Sequence, residues 1–351
     1  MITCDAESEG VAIEELRAID AALLPGQWLD TGDAVQGSIL LVETPLDFED
    51  FSGRFDGLNS IFIRHLMPVD FEVALTGTEA DFAAICALLP QLAQLLNSSM
   101  SFSVQSRILG TGKLPYRKVV LNETLSQALE QSTGAAMDCR VPEQVISIIC
   151  TPTVAYVGVS ETYQNRSAWP GGKHRFKRED DQVSRAEFKL LEAMNVFGVE
   201  LPTSGKALDI GASPGGWSRL LAERGLQVDA VDPGDLDVRL KGNKRITHLR
   251  KRIQDYNPGP KYFTAIVNDM KMDARDSVEI MLRFAEKLSP GGIAVITLKL
   301  PIMGPSIAAA KKTLEMVRSD LDRLATGFEI IGARQLYHNR SEVTVVMTSL
   351  S

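Results

Sequence analysis

The run Asp209-Ile210-Gly211-Ala212-Ser213-Pro214-Gly215-Gly216-Trp217 has the residue types of a turn that leads from a strand into a helix and holds a ligand. Glycines let such a backbone turn tightly and approach a bound group, while the start of the next helix offers unpaired N–H groups. The following apolar run ends in Val231-Asp232, 21 residues beyond Gly211, where a carboxylate can accept both hydroxyls of a ribose. A dinucleotide enzyme would use the same pair but expects GxGxxG, and here Ser213 and Pro214 occupy the middle of the motif. The pattern points instead to S-adenosylmethionine, held by Gly211, Ser213, Pro214, Gly215, Gly216, Trp217 and Asp232. A glycine-rich turn with no ligand is the plain alternative, and Asp232 in its strand context speaks against it.

Two basic stretches offer a second kind of chemistry. Between Arg239 and Arg252 lie Arg239, Lys241, Lys244, Arg245, Arg250, Lys251 and Arg252, with no acidic residue among them. The other is Lys173-His174-Arg175-Phe176-Lys177-Arg178. Cations beside an aromatic ring suit RNA presented as a loop or single strand, and a solvated loop explains them equally well. The second stretch joins the two halves of the chain and could line a groove between them. Trp169 and His174 read as packing or surface residues.

The formal net charge of −8 argues against a simple nucleic-acid binder. Its distribution changes that reading: residues 1–150 hold 21 acidic and 8 basic side chains, and the remainder hold 24 and 29. The C-terminal part can therefore face a polyanion. Cys4, Cys86, Cys139 and Cys150 are scattered, with no CxxC pair or histidine at ligand spacing, so neither metal nor disulfides are expected and the thiols read as buried and reduced. No apolar stretch approaches the roughly 20 residues that span a bilayer, and the acidic first ten residues lack a secretory pattern. A cytoplasmic protein with no membrane partner is expected.

The elements that must position these groups follow from periodicity. Val183, Ala186, Leu190, Leu191, Met194 and Phe197 share one face of a helix over 183–197. Then come strand 206–210, helix 214–224, strand 227–232, strand 246–249, strand 263–268, helix 274–288, strand 291–299, helix 306–325, and two closing strands, 328–336 and 342–348, that read as an antiparallel hairpin. This alternation predicts an α/β, Rossmann-like doubly wound sheet with an antiparallel last strand, whose ligands bind beyond the carboxyl ends of the strands. The N-terminal half shows strand-like runs at 38–42, 61–63, 71–75, 101–107 and 145–159, with helices at 78–97 and 123–132. Without regular βαβ spacing it reads as α+β, joined on by a polar, basic linker.

Four separated blocks carry a family resemblance: Ser184-Arg185-Ala186-Glu187-Phe188-Lys189-Leu190, the turn from Asp209, Asn268-Asp269-Met270, and Leu298-Lys299-Leu300-Pro301. In this order they resemble the FtsJ-type RNA ribose 2′-O-methyltransferases. Ala333-Arg334-Gln335-Leu336-Tyr337-His338 and Glu342-Val343-Thr344-Val345 are similar to the branch that methylates a cytidine ribose of bacterial large-subunit rRNA. That branch carries a ferredoxin-like segment and a THUMP module, an α+β RNA-binding domain. The resemblance implies such a segment at 1–60, a THUMP-like module at 61–162, a basic linker at 163–182 and the methyltransferase domain at 183–351.

The resemblance also implies a catalytic tetrad of Lys189, Asp269, Lys299 and Glu342, with structured RNA as substrate and Asp269 near the cofactor. A ribose hydroxyl must be positioned in line with the methyl group and relieved of its proton. Lys299 is the implied proton acceptor; alternatively it orients the hydroxyl while the carboxylates fix both lysines. Each residue alone has an ordinary reading as a surface or strand-end charge. One position departs from the branch: Arg252 stands where an acidic residue near the adenine is expected. Asp255, three residues on, is the candidate replacement, and backbone groups with stacking are the other. Transfer RNA as substrate, a non-catalytic RNA-binding factor and a nicotinamide enzyme are the rival readings.

Overall fold

The first 66 residues contribute one antiparallel sheet. Its elements are β1 (Ile2–Cys4), α1 (Glu9–Ile19), β2 (Leu24–Leu29), β3 (Ser38–Glu43), α2 (Phe48–Gly53) and β4 (His65–Leu66), in strand order β2-β3-β1-β4. The computed structural model describes all residues except 22–23, 30–36, 111–114, 178–179, 261, 302–305 and 351. It divides into two units, Met1–Lys173 and His174–Ser351.

The strand expected at 61–63 does not form. The fully buried Glu15 of α1 accepts the N–H groups of Ile61 and Phe62 at 2.6 and 3.0 Å, so this backbone is satisfied by a side chain instead of a ladder. The strand lies just beyond, at β4, where His65 and Leu66 pair with β1. The first sheet therefore runs past residue 60, the boundary expected from sequence.

The second sheet of this unit holds β5 (Phe71–Ala74), β6 (Phe102–Ile108), β7 (Gln144–Cys150) and β8 (Val154–Glu161), ordered β5-β8-β7-β6, with β6 and β7 parallel. The run 145–159 is thus two strands, turning at Thr151–Thr153, where the Thr151 hydroxyl accepts the N–H groups of Thr153 and Val154. Helices α3 (Ala80–Cys86), α4 (Leu89–Leu95) and α5 (Lys118–Thr133) pack on it through Ile85, Leu92, Leu121, Leu125 and Leu129. The helix expected over 78–97 is two helices because Pro90 has no N–H to continue the ladder and instead opens α4. Part of the expected linker also belongs here: Arg166 is bound to the carbonyls of Phe55 and Ser60, and Pro170–Gly172 forms a 3-10 turn. Cys4 and Cys150 are buried, whereas Cys86 is half-buried and Cys139 exposed, so buried thiols are found at two of the four positions.

The second unit is an α/β domain. It contains α6 (Glu187–Phe197), β9 (Lys206–Ile210), α7 (Gly216–Glu223), β10 (Gln227–Val231), β11 (Ile246–Leu249), β12 (Phe263–Asn268), α8 (Ala274–Arg283), β13 (Leu288–Lys299), α9 (Ile307–Leu324), β14 (Phe328–Arg334) and β15 (Glu342–Ser349). The strand order is β11-β10-β9-β12-β13-β15-β14, with β15 antiparallel to both neighbours and the other pairs parallel. Chain direction across the sheet reverses between β9 and β12, and such a switch point opens a crevice at the carboxyl ends of the strands. Ala207, Val228, Ala230, Ala265, Val267 and Val295 supply one buried face, covered by Leu190, Ala193 and Met194 of α6 and Leu220 and Leu221 of α7. Regular helix begins at Glu187, four residues later than expected, because the Glu187 carboxylate accepts the N–H groups of Val183 and Ser184. Helix α8 ends at Arg283, and β13 already begins at Leu288.

Candidate active site

Two loops meet at the switch point, one after β9 and one after β12. Gly211 turns the chain with φ +74°, and a β-carbon there would fall 2.3 Å from Met270 Cγ in the other loop. Gly215, at φ +106°, opens α7, with no room for a side chain beside Leu240. The Ser213–Pro214 bond is cis, and both residues are exposed. Beneath the turn lies Asp209, whose carboxylate accepts the Ser218 hydroxyl at 2.6 Å. Burial pushes the Asp209 carboxyl up to about 7 against the opposing pull of Ser218.

Asp232 follows β10, where sequence placed it. One of its oxygens accepts the Ser213 N–H at 3.2 Å and the other the Gly234 N–H at 2.6 Å, which joins it to the turn. A carboxylate offers about four lone-pair directions, so this half-buried group retains capacity for hydroxyl donors. Trp217 stands differently from its expected role as a cofactor contact. Its indole is buried in the domain core and donates to Ala186 O at 2.7 Å, fastening α7 to α6.

The structure brings Lys189, Asp269, Lys299 and Glu342 together. Lys299 is the register partner of Glu342 across β13 and β15, Asp269 follows β12 next to β13, and Lys189 reaches in from α6. Lys189 Nζ lies 3.1 Å from both Asp269 oxygens and 2.6 Å from Glu342 Oε2. Lys299 Nζ lies 2.6 Å from Asp269 Oδ1 and 2.8 Å from Glu342 Oε1. Each lysine thus touches both carboxylates, and each side chain is 15–17% exposed. Burial disfavours charge on Lys189, but Asp269 and Glu342 together outweigh it and hold the ammonium above the usual lysine value. Burial likewise opposes the Asp269 charge, and Lys299 with Lys189 overcomes it, keeping that carboxyl below its ordinary range.

Sequence reading missed Thr297. Two residues before Lys299 on the same face of β13, its hydroxyl donates to Asp269 Oδ1 at 2.6 Å and accepts from Lys299 Nζ at 2.8 Å. The period-two spacing was the available signal. Also missed was Glu192, buried one helical turn beyond Lys189, which accepts the N–H groups of Tyr337 and His338 at 2.7 and 2.8 Å and His338 Nδ1 at 2.6 Å. It anchors the loop that leads to Glu342.

Other candidates lie elsewhere. Asp255 is exposed, ion-paired with Arg252 at 3.1 Å, and lines a cavity with Arg283 and Lys287 at the end of α8 remote from the switch point. It is therefore not brought to the turn, because the chain has by then doubled back toward the start of β12. Within the basic run, Arg239 pairs with Asp237, Arg250 with Asp235, and Arg245 donates to Gly225 O. Lys241, Lys244 and Lys251 are exposed. Phe176 packs against Phe188 and His338 with ring centroids 5.9 and 5.6 Å away, and His174 is buried beside it, its imidazole pushed down to about 4 by burial. Arg178 lies outside the described residues. Among the described residues no helix is long and apolar enough to cross a membrane, and no group of three or more potential ligand side chains could hold a metal ion.

Comparisons with known proteins give this geometry a context. Residues 182–318 match the FtsJ-like methyltransferase family. Over 232 residues, 64% of this chain and 63% of the relative, the chain is 30% identical to "Ribosomal RNA large subunit methyltransferase M" of Pseudoalteromonas translucida. The protein of the same name from Idiomarina loihiensis is 34% identical over 206 residues, 56% of this chain and 54% of the relative. These matches span only about half to two thirds of the relatives' length. Among solved structures, that of TrmN from Thermus thermophilus aligns over 99% of this chain and 98% of its own, with a TM-score of 0.37 and 18% identity. The similarity to the FtsJ-like methyltransferase family covers residues 182–318, which hold the glycine turn, Asp232, Lys189, Asp269 and Lys299 but not Glu342.

Proposed function

We propose that this protein transfers a methyl group from S-adenosylmethionine to a ribose 2′-hydroxyl of RNA, with large-subunit ribosomal RNA as substrate and the cytoplasm as its place of action. The observation that carries this reading is the closed arrangement of Lys189, Asp269, Lys299 and Glu342 at the switch point, beside the glycine turn. The names of the curated relatives support ribosomal RNA as the acceptor. When bound, S-adenosylmethionine supplies an electrophilic methyl group carried on a sulfonium.

The residues present fit that group. The backbone of Gly211, Ser213, Pro214, Gly215 and Gly216 lines its place, Asp232 offers unused lone pairs to ribose hydroxyls, and Trp217 holds the turn from behind through Ala186. Asp269 marks the boundary between this place and the acceptor. Asp255 has no part in it.

The tetrad then acts on the acceptor hydroxyl. Two ammonium and two carboxylate groups cancel in charge, so the cluster can be half-buried without a net desolvated ion. Lys189, its charge held by Asp269 and Glu342, fixes the position of both carboxylates. Lys299 acts after giving up its own proton to solvent: as the free amine its Nζ orients the hydroxyl oxygen and takes its proton as the methyl group is transferred, which restores the ammonium that donates to Asp269, Thr297 and Glu342. Positioning the oxygen in line removes much of the entropic part of the barrier.

In the first unit, the sheet of β5–β8 with α3–α5 serves as the THUMP-like RNA-binding module, and the sheet of β1–β4 as the ferredoxin-like segment before it. A separate α+β core around Ile85, Phe102, Leu125 and Ile148 supports this division. The test is transfer of isotopically labelled methyl groups from S-adenosylmethionine to large-subunit rRNA transcribed in vitro, followed by nuclease mapping. Label on a single ribose is expected. Label on a base, or transfer to tRNA with none to rRNA, would sink the reading.

A further inference from the structure

Remote from the tetrad, where α8 ends, the second unit has a cavity of about 380 Å³ whose lining includes Asp255, Tyr256, Asn257, Arg283, Phe284 and Lys287. Its floor is aromatic and closed to solvent: Tyr256 and Phe284 are buried, with ring centroids 6.2 Å apart, and the Tyr256 hydroxyl donates to Asp229 Oδ2 at 2.6 Å. Its rim is cationic. The Arg283 guanidinium lies over the Phe284 ring at 5.6 Å, and among the described residues no acceptor or carboxylate neutralises it. Lys287 donates to Gly259 O at 2.9 Å and sits 5.4 Å above the ring of Tyr262, which is 59% exposed.

We infer that this cavity is a second contact site for the RNA, taking one nucleotide of a single-stranded segment, with its phosphate on Arg283 and Lys287 and its base on Tyr262. The chemistry of the rim decides the ligand. A guanidinium held beside a ring by a cation–π contact keeps its N–H donors available for phosphate oxygens. An exposed ring under an ammonium is a stacking surface that is indifferent to base identity. Asp255 does not cancel these charges, because its carboxylate is already paired with Arg252. Lys241, Lys244 and Lys251 of the basic run around β11 are exposed, and Lys251 lies shortly before the cavity in the chain, so these lysines and the rim form one cationic tract. The tract lies along the edge strand of the sheet, since β11 is outermost.

This inference rests on the RNA methyltransferase reading and adds where the RNA goes after it leaves the site. The test uses the full chain with in vitro transcribed large-subunit rRNA and compares wild type with Arg283→Gln, Tyr262→Leu and Lys287→Gln. The substitutions should raise KM for RNA, by about tenfold when Arg283→Gln and Tyr262→Leu are combined, with kcat and S-adenosylmethionine affinity unchanged. The slope of log affinity against log salt should fall by about 0.7 for each cation removed, which a merely structural role would not produce. Lys287→Arg should restore binding lost in Lys287→Gln. Unaltered KM and salt slope in variants that fold, while wild type methylates rRNA, would overturn the site. If wild type methylates no RNA at all, the broader reading fails instead.

Discussion

Thr297 donates its hydroxyl to Asp269 Oδ1 at 2.6 Å and so ties the β13 strand to the loop after β12. The same oxygen accepts from Lys299 Nζ, which makes Thr297 the only neutral group bonded to two members of the tetrad among the described residues. Thr297→Val keeps the shape and removes both bonds. A hydrogen bond to a charged group contributes about 1.5–3 kcal/mol, so the single-turnover methylation rate should fall at least about tenfold. Affinity for S-adenosylmethionine, measured by calorimetry, should stay within a factor of about two. An unchanged rate would remove Thr297 from the account.

Glu192 is a buried carboxylate that satisfies three donors of the loop before β15. Glu192→Ala leaves the Tyr337 and His338 N–H groups without that acceptor, at a cost of about 1–3 kcal/mol each. The melting temperature should drop by roughly 5 °C or more, since 1 kcal/mol shifts a domain of this size by about 2–4 °C. Glu192→Gln keeps one acceptor oxygen and should lose less. Thermal denaturation of both variants checks the order.

Asp209 gives the fold a definite pH response. Its carboxyl is raised to about 7 by burial, against a reference near 3.9 for an exposed aspartate. A raised folded value means the native state binds the proton more tightly, so this contribution to stability is full below about pH 4 and lost as the pH rises to about 7. Asp209→Asn cannot lose a proton. The stability of the variant relative to wild type should therefore improve between pH 4 and pH 8, as read from melting curves at both values. Parallel curves across that range would contradict the assignment.

Gly215 combines a left-handed backbone with a β-carbon position only 2.3 Å from Leu240 Cδ1. Gly215→Ala should weaken cofactor binding at least about tenfold, through about 1–2 kcal/mol of backbone strain and the displaced leucine. Adding Leu240→Ala relieves the clash and leaves the strain, so recovery should be partial. Equal affinities of wild type and Gly215→Ala would show that the turn tolerates a side chain.

Much of the second unit was legible because its strands are short apolar runs between periodic helices; β9, β11 and β12 begin and end where the sequence put them. The tetrad was found through residue order, but the reason it closes, the register of Lys299 against Glu342, is a property of strand pairing that no local pattern encodes. Other features depended on distant partners. Ile61 and Phe62 have strand-like side chains, yet their backbone goes to Glu15, and Phe176 turns to Phe188 and His338. The basic run looked uncompensated because Asp235, Asp237 and Asp255 lie just outside it. The place of Asp255 depended on which end of the sheet the loop before β12 returns to, and the length of that loop does not say.

The central claim is that Lys189, Asp269, Lys299 and Glu342 direct a methyl group onto a ribose hydroxyl of ribosomal RNA. Ribose-methylation mapping of total RNA from cells lacking the gene, complemented with wild type or with Lys299→Ala, tests it most directly. One 2′-O-methyl mark in large-subunit rRNA should disappear on deletion, return with wild type and stay absent with Lys299→Ala, although the variant folds and binds S-adenosylmethionine. An unchanged rRNA ribose-methylation map after deletion, or full restoration of the mark by Lys299→Ala, would contradict it.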